Sequence, residues 1–114
     1  MEKNTDNSAL RYDGEKPGFE FLEWEELSQV NEVFRFGAKK YAPHNWKKGM
    51  DWHRCVNSCL RHLFKWFRGE RYDEESGLPH LAHAAWNILA LMWYEENRIG
   101  LDTRPITLKE LKDG

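Results

Sequence analysis

Three polar residues interrupt the most apolar stretch of the chain: His80, His83 and Asn87, spaced three and four apart. On a helix that spacing puts all three within about 60° of one another on one face. A polar group carried into a core costs about 1–3 kcal/mol when unpaired, so such a stripe needs hydrogen-bond partners, a metal or a wet cleft. Further donors stand close by, with His62 upstream and Glu70, Asp73 and Glu75 in the segment leading to the stripe. Imidazole and carboxylate together suit first-row divalent ions such as Mn, Co or Zn, whereas an all-carboxylate site favours Mg. The bland alternative is a pair of satisfied core histidines beside a solvated turn in which Asp73 or Ser76 caps the next helix.

A second constellation mixes cations with flat rings: Lys39, Lys40, Tyr41, His44, Asn45, Trp46, Lys47 and Lys48. Lysines neutralise phosphate, a ring stacks on a base, and an amide pairs with a base edge. That chemistry serves a nucleotide or a single nucleic-acid strand, and the competing reading is a solvated lysine pair with Trp46 tucked beneath the loop. The chain has no Gly-rich phosphate loop, no Cys-x-x-Cys pair and no Gly-x-Ser-x-Gly elbow. Dinucleotide-binding, zinc-finger and acyl-transfer functions therefore lose support.

The elements that must hold these groups are helices. Leu27, Val30, Phe34, Ala38 and Tyr41 recur at spacings of three and four, predicting a first helix over residues 23–41. Phe36 stands among the polar residues of its other side, where it could touch a partner chain. Residues 42–51 carry Pro43, Asn45 and Gly49 and read as a loop. A second helix runs from Trp52 to near Gly69, with Trp52, Cys55, Val56, Cys59, Leu63, Trp66 and Phe67 on its apolar side. Arg54, Asn57, Arg61, Lys65 and Arg68 lie opposite, and His62 falls at the boundary. After an acidic loop, Pro79 can open a third helix over residues 79–97 that is apolar almost all round and belongs in the middle of the fold. Thr107 with Glu110 forms a capping-box signature for a short terminal helix. No segment sustains the alternation of a strand, so the expected fold class is all-α: three main helices plus a short C-terminal one. The expected organisation is a polar arm (1–18), a helical catalytic domain (19–98) and a tail (99–114).

Composition sets the remaining bounds. A chain of 114 residues with 40% hydrophobic and 14% aromatic content is a folded globule with one modest core. The net charge of −2 conceals nine acids and three bases in residues 1–34, two acids and ten bases in 35–71, and eight acids and four bases in 72–114. A basic middle between acidic flanks suits a metal-assisted phosphate site. The flanking acid argues against a single-stranded nucleic-acid binder. The longest apolar run is far too short for a bilayer, and the two cysteines, Cys55 and Cys59, share a helix face as small hydrophobes, so a reducing cytoplasm is expected. Short helices with a broad apolar surface often complete their core across a two-fold, which predicts a homodimer.

The motifs together resemble a known family. Phe36-Gly37-Ala38-Lys39-Lys40-Tyr41, Asn45-Trp46-Lys47-Lys48-Gly49, Arg61-His62-Leu63, Gly69-Glu70, Asp73, Glu75-Ser76-Gly77 and His80-Leu81-Ala82-His83-Ala84 through Asn87 are similar, in order, to the phage dATP/dGTP diphosphohydrolases. The resemblance implies a cytoplasmic enzyme that cuts a purine deoxynucleoside triphosphate to monophosphate and pyrophosphate with a divalent metal (Mg, Mn or Co). More distantly, the helical layout is similar to the MazG-type all-α nucleotide pyrophosphohydrolases, which hold metal with Glu-x-x-Glu and Glu-x-x-Asp on facing helices. Glu23-Trp24-Glu25-Glu26 could imitate the first motif, but His80-Leu81-Ala82-His83 stands where the second carboxylate pair would be. The resulting expectation assigns His62, Asp73, His80 and His83 to the metal and Glu70 or Glu75 to the attacking water. It assigns Lys39, Lys40 and Lys47 to the phosphates, Trp46 with Asn45 to the base, and Asn87 to the substrate. The alternative is a non-catalytic nucleotide-binding or sequestering protein.

Overall fold

A computed structural model describes residues 9–16 and 18–105. It contains three α-helices, α1 (Trp24–Lys40), α2 (Trp52–Phe67) and α3 (His80–Asn97), with a short 3₁₀ turn, Asn45–Lys48, between α1 and α2. Among the described residues no strand forms beyond two isolated bridges, Asp51 with Leu101 and Tyr72 with Pro79. The fold is all-α, as the periodicity predicts. The expected terminal helix at Thr107 and Glu110 lies outside the described residues.

Local chemistry explains the ends of each helix. Glu25 and Glu26 sit in the first turn of α1 and Lys39 and Lys40 in its last, each complementing the helix dipole. The α2 helix runs out at Phe67, and the chain turns at Gly69 with φ of 105°, a conformation that favours glycine. Pro79 precedes α3 in an extended conformation rather than opening it, so α3 begins one residue later than predicted. Neither Asp73 nor Ser76 caps this helix, whose N-cap has no side-chain hydrogen bond. Arg98, in the left-handed region, ends α3 with its N–H donated to the Tyr94 carbonyl.

The central position expected for α3 is observed, since it packs against both α1 and α2. The core is small: Val33, Cys55, Cys59, Ala82, Ala84, Ala90 and Tyr94 are the buried apolar residues. Both cysteines are buried free thiols, and burial pushes each thiol's pKa upward. Around Cys55, Ala90 and Tyr94 gather the partly buried Trp46, Met50, Trp52, Trp86, Leu91, Trp93 and Ile99. The chain after α3 straps back over this cluster: Trp52 donates its indole N–H to the Ile99 carbonyl, and the His53 backbone N–H bonds Thr103 Oγ1.

Much of the predicted apolar surface is not covered within one chain. Val56, Leu60 and Phe67 on α2, and Leu81, Ile88 and Met92 on α3, are exposed. At 100° per residue these lie far around each helix from Arg54 and Arg61 on α2 and from His83 and Trp86 on α3. The fold therefore has two unlike sides, one apolar and open, the other concave and polar. No helix is long and apolar enough to cross a membrane among the described residues.

Candidate functional site

The concave side is a cleft of about 860 Å³ between α1, the 3₁₀ turn, α2 and the start of α3. At one end lie His62, Asp73, Glu75 and His83, at the other Asn45, Trp46 and Lys47, with Phe36 and Lys40 of α1 along one wall and Arg54, Asn57 and Arg61 of α2 along the other.

The imidazole end is built from two helices and the loop joining them. His62 points from α2 toward α3, where its Nδ1 lies 2.8 Å from Nδ1 of His80. In such a pair one nitrogen carries the proton and the other accepts it. His80 is 1% exposed, and its other nitrogen, Nε2, faces Glu70 Oε2 at 3.7 Å. Asp73 is held by its own loop: its backbone N–H bonds the Leu78 carbonyl, its carbonyl accepts Gly77 N–H, and its carboxylate accepts Ser76 N–H at 2.9 Å. Gly77 takes a φ of 72° to close that turn. One ligand atom from each of His62, Asp73 and His80 lies within 4.8 Å of the other two.

Electrostatics favour an uncharged His62 and an ionised Asp73. Burial, and then the neighbouring His83, push His62 down to about 4, so the ring is neutral near pH 7. Burial also lowers His83, against the opposing pull of Asp73. Burial by itself would raise Asp73, but hydrogen bonds from Ser76 and the adjacent imidazoles hold its carboxyl below the usual range. Two imidazoles and a carboxylate are a donor set for a first-row divalent ion. Metal–nitrogen distances of about 2.0–2.1 Å place neighbouring ligand nitrogens roughly 3 Å apart, close to the observed His62–His80 separation. The residues present fit a cation.

The other predicted site residues divide. His83 lies outside the three-residue group. Its ring stacks on His62 at 4.5 Å and 7°, and its Nε2 bonds Ser76 Oγ at 2.6 Å. Asn87, 4% exposed, donates to Ser58 Oγ and to the His83 carbonyl, which ties α3 to α2 beneath the cleft. Glu70 stands behind His80 rather than among the cleft-lining residues, whereas Glu75 lines the cleft and pairs with Lys40 at 2.6 Å. Lys47 lines the cleft while lying over the Trp46 and Trp93 rings, and Lys39 is outside the lining. Trp46 packs edge-on against Phe34, Trp86 and Trp93, so most of its ring serves the core and only part faces the cleft. Asn45 lines the cleft beside it. Glu25 and Glu26, which could imitate a carboxylate motif, are exposed and outside the lining.

Several residues in or around the cleft were given no part in the site from sequence. Phe36, read as a possible partner contact, instead stands edge-on to His83 at 6.4 Å as part of the wall. Ser58 and Ser76 supply the oxygens that satisfy Asn87 and His83. Arg54, Asn57 and Arg61, placed from sequence only as the side opposite the apolar face of α2, line the cleft. Their three-and-four spacing was the available signal, since it matches that of His80, His83 and Asn87 on the facing helix.

The chain is similar in sequence to known proteins. The family described as dATP/dGTP diphosphohydrolase, N-terminal, matches residues 6–104. A protein of Salmonella phage PMBT28, named dATP/dGTP diphosphohydrolase, is 28% identical over 97 residues. That alignment covers 85% of this chain and 33% of the phage protein, so the chain spans about a third of its relative's length. No solved structure matches the chain.

Proposed function

This chain belongs to the dATP/dGTP diphosphohydrolase N-terminal family, and we propose from that membership that it hydrolyses dATP or dGTP to the monophosphate and pyrophosphate with a divalent cation. The observation that carries this reading is the convergence of His62, Asp73 and the buried His80, the first two of which line one end of a cleft whose other lining is cationic and aromatic. In this proposal His62, Asp73 and His80 hold the cation. When bound, a divalent ion supplies positive charge to phosphate oxygens and acidifies water. Glu70 orients His80 from behind, as a carboxylate commonly does for a ligating imidazole. Glu75, at the cleft wall, is the acceptor for the proton of the attacking water, and Lys40 holds its carboxylate in place. His83 braces the His62 ring by stacking and is itself fixed by Ser76. Lys40 and Lys47 add positive potential for the phosphates, and Asn45 offers an amide to the base.

The proposed active species is a homodimer in which the exposed apolar faces of α2 and α3 meet those of a second copy. Two buried free thiols support a reducing, cytoplasmic setting. The test is a panel of eight ribo- and deoxynucleoside triphosphates incubated with Mn or Mg and analysed for products. Pyrophosphate with dAMP or dGMP supports the proposal. Release of inorganic triphosphate identifies a different hydrolase, and intact nucleotide that stays bound identifies a sequestering protein.

A further inference from the structure

The two arginines on the α2 wall have no role in the scheme above, and their setting is unusual for surface cations. Arg54 and Arg61 both line the cleft, with Asn57 between them on the same face. Among the described residues neither guanidinium has a carboxylate within ion-pair distance. The cleft's own acids are engaged elsewhere, Glu75 by Lys40 and Asp73 by Ser76 N–H. Lysines that could compete for the same anion are less available: Lys40 is paired, Lys47 lies over two indoles and Lys39 is outside the lining. Two uncompensated guanidinium groups within one concavity focus positive potential into it.

Spacing selects the anion. Arg61 lies seven positions after Arg54 on the helix, a rise of about 10 Å. A single phosphate engages one end of that row, whereas a chain of phosphoryl groups can engage both arginines and the amide between them. The row also has a direction, because Arg61 directly precedes His62, which belongs to the imidazole cluster, and Arg54 lies toward the 3₁₀ turn. The geometry points to a polyphosphate-binding ladder, in which Arg54, Asn57 and Arg61 take the β- and γ-phosphates of a nucleoside triphosphate and retain the pyrophosphate after cleavage. The assignment of those phosphates to a nucleotide rests on the function proposed above. The affinity of the ladder for polyphosphate does not.

Inorganic tripolyphosphate is therefore the probe, titrated calorimetrically in EDTA so that no metal contributes. The wild-type chain binds it, and Arg54→Gln and Arg61→Gln each weaken binding about 10- to 100-fold, the range for losing a charge-assisted hydrogen-bond pair. Arg68→Gln removes the same charge from the end of α2 but lies outside the cleft lining, and it leaves binding unchanged. Affinity for dGMP falls by much less than affinity for tripolyphosphate when both arginines are replaced together, because a monophosphate engages only one end of the row. Melting temperatures verify that the exposed substitutions leave the fold intact.

Wild-type-like binding in Arg54→Gln and Arg61→Gln, or an equal loss in Arg68→Gln, overturns the ladder. So does a single-stranded oligonucleotide that binds more tightly than tripolyphosphate through the same arginines. If dGTP comes back uncleaved while tripolyphosphate binding and its arginine dependence persist, the ladder stands and the hydrolase proposal falls.

Discussion

Replacing Tyr94 by Phe tests whether the 3₁₀-turn end of the cleft is held from below by α3. Tyr94 is fully buried, and its hydroxyl donates to the backbone carbonyl of Trp46, in the 3₁₀ turn that presents Asn45 and Lys47. The substitution removes one hydrogen bond but keeps the ring, whose centroid lies 5.9 Å from that of Trp46. The magnitude depends on what the carbonyl retains. Gly49 N–H also donates to it at 3.1 Å, so the oxygen is not orphaned and the larger penalty for an unsatisfied buried acceptor does not apply. The expected loss is about 1 kcal/mol, a fall in melting temperature of about 4–8 °C for a domain of this size. Burial pushes the wild-type phenol up to about 12, from an ordinary value near 10. The unfolded chain therefore releases this proton first, and stability present below pH 10 declines as pH rises toward 12. Tyr94→Phe lacks that decline, so the wild type's advantage is lost within the same window. Differential scanning calorimetry at pH 8 and at several values above pH 9, with absorbance at 295 nm to follow the phenol, reads both effects. On the proposed function, the KM for dGTP rises more than kcat falls in steady-state assays, because the substitution loosens the turn proposed to meet the base and leaves the imidazoles alone. An unchanged melting temperature at pH 8, or a phenol that titrates near 10 in the folded protein, would refute this account of the turn.

The remaining predictions address the cation, the open face and the thiols. Free Mn at about 100 times its Kd stabilises the wild-type chain by about 2.7 kcal/mol, and His80→Ala removes that increment; an equal Mn-induced shift in the variant excludes His80 as a ligand. Leu60→Glu combined with Ile88→Glu leaves the cleft untouched but places charge in the exposed apolar faces of α2 and α3, so light scattering after gel filtration gives a monomer where the wild type gives a dimer. Asp73→Asn retains the turn at Ser76 but loses the carboxylate charge, and calorimetry shows Mn affinity reduced about 10-fold or more while the melting temperature without metal changes little. Because burial raises both thiols, Cys55 and Cys59 resist alkylation at pH 8 in the native protein and react promptly in denaturant, as mass spectrometry reads directly.

The helices were legible in the chain because their determinants are local. Spacings of three and four located α1, α2 and α3 to within one or two residues, and Cys55 and Cys59, placed on the apolar side of α2, are both buried. The burial of His80 and Asn87 on α3 was readable in the same way, as was the reduced state of the cysteines. Less visible was how little of the apolar surface one copy covers. Periodicity marks a face as apolar but does not say whether its cover comes from the same chain, and Leu81, Ile88 and Met92 are left open here.

Sequence alone supplied the donor types, the helical register and the ordered motifs of a phosphohydrolase family. Tertiary structure decided which donors meet. His80 and His83 share a helix stripe, yet His80 pairs with His62, eighteen positions away in sequence, while His83 stacks beside that pair and turns its nitrogen to Ser76. The same packing turned Arg54 and Arg61 from an outer face into a cleft wall and drew Lys40 to Glu75. A helix is set by hydrogen bonds between residues four apart, so its faces can be read from the chain. The rotation and crossing of two helices are set by side chains distant in sequence, and that relation determines which imidazole, carboxylate and guanidinium share a cavity.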